Sequence, residues 1–220
     1  GCKINYMIHW LASLFIAFIL FHSETRAASL CQELFTISSE RTGLMTIGEQ
    51  TLRYVTVGDA SLPPILFIHG APGQAENWTY FLKHPQLKNR FHLIAVDRTG
   101  YGGSDRGLAE SSIQKQALMV SEALKLNHSL KPAIVVGYSF GGPIAARLAI
   151  EAPQKVSGLI LVSSLASPQY LTTKWYFQFV KYIVQSIQTR SRLKVFFDEI
   201  APLKNELEEM QPLWKGIKAK

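Results

Sequence analysis

Ala133-Ile134-Val135-Val136-Gly137-Tyr138-Ser139-Phe140-Gly141-Gly142 is the stretch that decides the fold. Its first four residues form an apolar run of the kind buried in a parallel sheet. Pro143-Ile144-Ala145-Ala146-Arg147-Leu148-Ala149 after it reads as a helix with small residues on its packing face. The turn between them is so tight that Ser139 is expected at an unfavourable backbone angle. Gly137 and Gly141 lie on either side of it, because a Cβ at either position would collide with the crossing strand and helix. That strain lifts the Ser139 hydroxyl above the sheet. The amide of Phe140 then sits at a helix N-terminus, where developing negative charge is stabilised. Strand, G-x-S-x-G and helix together are a nucleophile elbow.

Working outward, residues 44–47, a turn at Gly48-Glu49-Gln50 and residues 51–57 read as an antiparallel hairpin. Pro63-Pro64 launches a buried strand over 65–68, and a helix is expected around 77–83. Residues 91–96 form the next strand. Ser111-Ser112 caps a helix running to about residue 126, and residues 156–162 form another buried strand. Strands alternating with helices imply an α/β fold: a mostly parallel sheet wound on both faces, with its chemistry at the carboxyl ends of the strands. His69-Gly70, Asp97-Arg98, Ser139 and Ser163 all fall at such ends.

Acyl transfer passes through a tetrahedral oxyanion that needs two fixed donors. Phe140 is one candidate. His69-Gly70-Ala71-Pro72-Gly73 is placed to supply the other through the Ala71 amide, since Pro72 cannot donate. His69 reads as a histidine that orders this loop rather than as a base. In Asp97-Arg98-Thr99-Gly100-Tyr101-Gly102-Gly103-Ser104, Asp97 is a tempting catalytic acid. The better reading is that carboxylate, guanidinium and glycines fix a tight turn beside the site.

With the H-G-x-P-G loop, the D-R-T-G-Y-G-G-S turn and the G-Y-S-F-G-G elbow in that order, the chain resembles the α/β-hydrolase fold superfamily over about residues 44–164. The loop looks most like that of proline iminopeptidases and haloperoxidase-like hydrolases. Serine at the elbow argues against haloalkane dehalogenases and epoxide hydrolases, whose nucleophile there is aspartate. The resemblance implies a serine hydrolase in which Ser139 attacks an ester or amide, with Phe140 and Ala71 as the oxyanion hole. His69, Gly70, Asp97, Arg98, Gly137 and Gly141 are then structural motif positions. It implies no cofactor and a small-molecule ester or amide substrate.

Such enzymes carry nucleophile, acid and histidine in that chain order. No histidine follows Ser139 here, and Asp198 is the only later aspartate. His84, His92 and His128 precede the elbow and read as surface or loop residues. The expectation is that the last two core strands, with the acid and the base, lie outside the 220 residues, so that the chain by itself is a poor catalyst. Two other readings stay open. One is a non-catalytic, ligand-binding relative. The other is cofactor-free perhydrolysis or carbon–carbon cleavage on the same scaffold.

From about Pro168 the pattern changes to aromatics among cations, with Trp175, Tyr176, Phe177, Phe179 and Tyr182. Residues 168–212 read as an inserted helical lid on a 28–167 core, and 213–220 as the approach to a further strand. At the other end, Lys3, an apolar run over 10–21 and Thr25-Arg26-Ala27 have the shape of a secretory signal peptide or an N-terminal anchor in 1–27. Export, or association with a membrane, is the expected localisation. Cleavage would leave Cys31 alone and no disulfide framework. The net charge of +7 reads as solvated helix faces. No nucleic-acid module and no metal-ligand spacing is present.

Overall fold

The computed structural model describes residues 41–105, 107–165, 168 and 192–217. The N-terminal apolar run, both cysteines and the aromatic stretch 175–183 lie outside the described residues. Strands β1 (Arg41–Ile47) and β2 (Gln50–Val57) form the antiparallel hairpin, with Ile47 opposite Gln50 across the turn. Strands β3 (Pro64–Ile68), β4 (His92–Val96), β5 (Ala133–Tyr138) and β6 (Val156–Val162) follow. The sheet has six strands in the order β1-β2-β4-β3-β5-β6. The β3–β4, β3–β5 and β5–β6 pairs are parallel, while β2 joins β4 antiparallel. The hairpin therefore caps one side of a parallel sheet in which β3 and β5 are interior.

The helix expected around 77–83 is divided. A 3-10 turn at Ala75–Trp78 leads into the short helix α1 (Thr79–Leu82), and α2 (Pro85–Lys88) follows. Helix α3 (Ile113–Ser121) starts where expected, with the Ser112 side chain accepting from the Lys115 amide, and tightens into 3-10 turns over Glu122–Leu126. Helix α4 (Gly141–Glu151) follows the elbow. Helix α5 (Arg192–Met210) ends in a 3-10 segment, Gln211–Gly216.

Alternation along the strands sorts their side chains between two faces. Leu66, Ile68, Val135 and Ile94 join Ile113, Ala117, Ile144, Ala145 and Leu148 in one apolar core. Ala145, Ala146 and Ala149 bring α4 close to the sheet, as small residues on a packing face should. Helix α5 adds Leu203, Leu207 and Met210 to the same core. Its cations Lys194 and Lys204 pair with Asp198 and Glu208 one turn on, as a solvated helix face requires.

The other face carries Ile65, Phe67, Ile134, Val136, Ile160 and Val162. With Trp78 and Phe81 these residues line an apolar groove of about 630 Å³. Among the described residues β6 is an edge strand, and Ile160 and Val162 are 49% and 41% exposed. No helix among the described residues is long and apolar enough to cross a membrane.

Candidate active site

Ser139 stands at the carboxyl end of β5 with φ +50°, a left-handed backbone angle that is rare for a residue with a side chain. Three hydrogen bonds hold it there. Its amide donates to the Val162 carbonyl at 2.9 Å, and its carbonyl accepts from Gly142 at 3.0 Å and from Leu165 at 3.2 Å. The strain is thus fixed from the neighbouring strand end and from the first turn of α4.

The flanking glycines are required by space. A Cβ on Gly137 would lie 2.4 Å from the Gly141 carbonyl oxygen and 2.8 Å from the Ala145 Cβ. A Cβ on Gly141 would lie 2.3 Å from the carbonyl oxygen of Ile68. The strand–helix crossing and the end of β3 therefore meet at this corner with only hydrogen between them.

The loop after β3 reaches the same place. A Cβ on Gly70 would stand 3.0 Å from the Ser139 Cβ. Among the described residues, neither the Ala71 nor the Phe140 amide donates to a backbone carbonyl. Each of these residues thus carries a donor with no backbone partner, Ala71 on the loop next to Gly70 and Phe140 next to the serine at the N-terminus of α4.

His69 is fully buried. Its Nε2 accepts from the Arg98 amide at 2.9 Å, so the ring proton is on Nδ1, which lies 2.6 Å from the Gly70 carbonyl oxygen. Both ring nitrogens are committed to backbone, as expected of a loop-ordering histidine. Tyr101 meets the ring edge-on at 5.5 Å.

Asp97 is also fully buried and saturated with donors. One carboxylate oxygen accepts from the Ala75 amide at 2.6 Å. The other accepts from the Gly103 amide at 2.8 Å and from Arg53 at 2.9 Å. Ser104 completes the turn by donating to the Asp97 carbonyl and accepting from the Arg53 amide.

The two charges of the Asp97-Arg98 turn do not serve each other, contrary to the simplest reading of the dipeptide. Arg98 points the opposite way, into the core, and pairs with Glu199 of α5 at 2.9 and 3.2 Å. Tyr101 and Gln116 also donate to the Glu199 carboxylate, at 2.7 and 3.0 Å. Burial, and after it that carboxylate, push the Tyr101 phenol pKa well up, so the hydroxyl stays a donor. Sequence reading did not identify Glu199. An acidic residue on an amphipathic helix carries no mark of a partner 101 positions away.

His92 requires a correction. It is the first residue of β4 and 3% exposed, not a surface or loop histidine. Asn127 donates its amide to Nδ1 at 3.2 Å, which fills the polar need of a strand residue facing the loop below it. His84 and His128 lie outside the strands. Among the described residues no cluster of histidine, cysteine and acidic groups could hold a metal ion.

Residues 63–189 match the family model described as alpha/beta hydrolase fold. The dihydrolipoyllysine-residue acetyltransferase component of the acetoin cleaving system of Cupriavidus necator is 33% identical over 143 residues, 65% of this chain and 36% of that protein. A protein of Oryza sativa subsp. japonica named "Probable 1-acylglycerol-3-phosphate O-acyltransferase" is 30% identical over 127 residues, 55% of this chain and 30% of its own length. The chain spans less than half the length of the curated relatives it matches.

Among solved structures, an alpha/beta hydrolase fold protein from Burkholderia ambifaria superposes with a TM-score of 0.61 at 18% identity, over 77% of this chain and 74% of that one. A bacterial membrane phospholipase A superposes with a TM-score of 0.59 at 20% identity, over 94% and 79%. At such identities these likenesses speak for the fold alone. The fold, the family model and the six-stranded sheet agree, and the chain belongs to the alpha/beta hydrolase fold family.

Proposed function

We propose that this chain carries the nucleophile half of a serine hydrolase that acts on a small-molecule ester or amide. Ser139 attacks the carbonyl carbon. The carbonyl oxygen becomes an oxyanion held by the Ala71 and Phe140 amides. As it collapses, the acyl–leaving group bond breaks, the acyl group stays on Ser139, and the departing alcohol or amine takes up the proton given up by the Ser139 hydroxyl. Water then releases the acid. The observation that carries this reading is a serine at φ +50° at the end of β5, next to Phe140 and in contact range of the Gly70–Ala71 loop, with the Phe140 and Ala71 amides lacking a backbone partner. Against Asp97 as the acid stand the three donors its carboxylate already accepts from, and against His69 as the base its two backbone contacts.

The names of the two curated relatives support acyl chemistry, since both concern transfer of an acyl group. The H-G-x-P-G loop supports an ester or amide carbonyl as the group attacked. No histidine follows Ser139 in this chain, so its 220 residues alone are expected to turn over slowly. Targeting through residues 1–27, by cleavage or by anchoring, belongs to the same proposal and rests on the apolar run over 10–21.

The test is hydrolysis of p-nitrophenyl esters of increasing acyl length by the protein as its gene encodes it. Turnover that disappears in Ser139→Ala supports the reading. Undiminished turnover in that variant overturns it.

A further inference from the structure

The Arg98 guanidinium touches both walls of the candidate oxyanion site. Its Nη2 donates to the Gly70 carbonyl oxygen at 3.3 Å. Its centre lies 4.7 Å from the ring centroids of both Phe140 and Tyr101. Phe140 and Ala71 are the two residues whose amides are proposed to hold the oxyanion. Glu199 grips the guanidinium through both carboxylate oxygens, one of them accepting from the same Nη2, and Gln116 donates to the same carboxylate. Arg98 and Glu199 are both fully buried.

The Gly70 carbonyl and the Ala71 amide belong to one planar trans-type unit, the peptide bond that joins these residues. Whatever fixes the direction of the carbonyl oxygen fixes the direction of the amide hydrogen on its opposite side. Two donors, His69 Nδ1 and Arg98 Nη2, converge on that oxygen and so aim the Ala71 N–H away from themselves. Donation to the carbonyl also polarises the amide, which strengthens it as a donor. On the other wall the Phe140 ring, 1% exposed, rests on the guanidinium face and holds the residue that carries the second amide. A guanidinium this deeply buried keeps its place only if its charge is met, and Glu199 meets it.

We propose that Glu199 and Arg98 form a positioning pair for the oxyanion hole, in which the Glu199 carboxylate holds the guanidinium that orients the Gly70–Ala71 peptide and the Phe140 ring. The pair acts through other groups, so neither residue is catalytic. It rests on the acyl-transfer reading of Ser139. It also lies partly beyond the family match, which ends at residue 189, ten positions before Glu199. Helix α5 thereby joins the apparatus of the site and does more than cover the core.

The test uses the protein as its gene encodes it, a short p-nitrophenyl ester and amide hydrogen exchange of the segment 69–74. Glu199→Gln keeps the shape and removes the charge. It is expected to lower kcat roughly tenfold with KM within about twofold, as a misaimed donor should. It should also speed exchange in 69–74. Leu207→Ala, on the same helix but in the apolar core, controls for loss of stability. It should lower Tm and leave kcat and the exchange of 69–74 at parental values.

If Glu199→Gln does not fold, the double variant Arg98→Met, Glu199→Leu removes both charges together, and the same losses are expected from it. The proposal is overturned if the folded Glu199 variant keeps parental kcat and parental exchange. It is equally overturned if Leu207→Ala lowers kcat as much as Glu199→Gln does. Failure of the Ser139 reading shows separately, as turnover that survives in Ser139→Ala. In that case the exchange of 69–74 still decides whether the pair orients the loop.

Discussion

Gly70 and Ser139 come together so closely that a single added methyl group on the glycine would stand 3.0 Å from the serine Cβ. The same methyl would lie 3.3 Å from the Tyr138 carbonyl oxygen. The loop after β3 and the elbow after β5 are therefore set against each other by contact, not by proximity alone. The proposed oxyanion role of the Ala71 amide depends on this contact, because Ala71 follows Gly70 in the loop. Gly70→Ala is expected to part the two segments by a few tenths of an ångström. Ester turnover should fall roughly tenfold with Tm little changed, because preorganised donors are sensitive to small displacement. Steady-state kinetics beside a thermal melt would separate the two effects.

Gly102, like Gly100, is a glycine of the Asp97 turn for which both space and backbone angle exclude a side chain. Its φ is +53°, and a Cβ there would lie 1.9 Å from an Asp97 carboxylate oxygen. Gly102→Ala is expected to cost about 2–3 kcal/mol, read as a lowered urea midpoint, since it adds both strain and overpacking.

Much of this was legible in the residues for a plain reason. The elbow is a local object, because Gly137, Ser139 and Gly141 are constrained by sterics within a few positions of themselves. The strands flanking it are apolar runs with turn residues at their ends. The divided helix at Ala75–Trp78 and Thr79–Leu82 was harder to foresee. Its hydrophobic residues Trp78 and Phe81 are placed by packing beside Phe67 and not by helical period. The charge pairing was not legible at all. Asp97 finds Arg53 44 positions earlier, and Arg98 finds Glu199 101 positions later. Only the folded sheet brings those partners together, so an Asp-Arg dipeptide read alone suggests a pairing that the fold does not make.

The roles assigned to Asp97 can be told apart by one substitution. Asp97→Asn leaves one acceptor oxygen for the Ala75 and Gly103 amides, turns an NH2 toward the other, and weakens the contact to Arg53, whose side chain is 22% exposed. A loss of about 1–3 kcal/mol in chemical denaturation is expected. The folded fraction should retain kcat within about threefold of the parent. A loss of three orders of magnitude or more in kcat, at unchanged stability, would make Asp97 a catalytic acid after all.

His92 gives the fold a dependence on pH. Burial first, and then the nearby charges of His128 and Arg41, hold its imidazole pKa below the ordinary value, against a weaker opposing pull from Asp59. The unfolded chain takes up a proton near pH 6.5, whereas the folded chain resists until the pH is lower. Between those points the unfolded state binds more protons, so stability falls as pH drops below about 6.5 and recovers as it rises. Below the folded pKa the loss is complete and this contribution levels off. His92→Gln should flatten that part of the profile in urea titrations between pH 7 and 5. An unchanged slope would show that another group is responsible.

The central claim is that Ser139 is a nucleophile held above the sheet beside two free amides. The most direct measurement is covalent capture. The protein as its gene encodes it is treated with a fluorophosphonate, digested, and the adduct located by tandem mass spectrometry. The account predicts a phosphonyl group on Ser139 and no labelled peptide from Ser139→Ala. Equal labelling of that variant, or an adduct mapped to another residue, would contradict it.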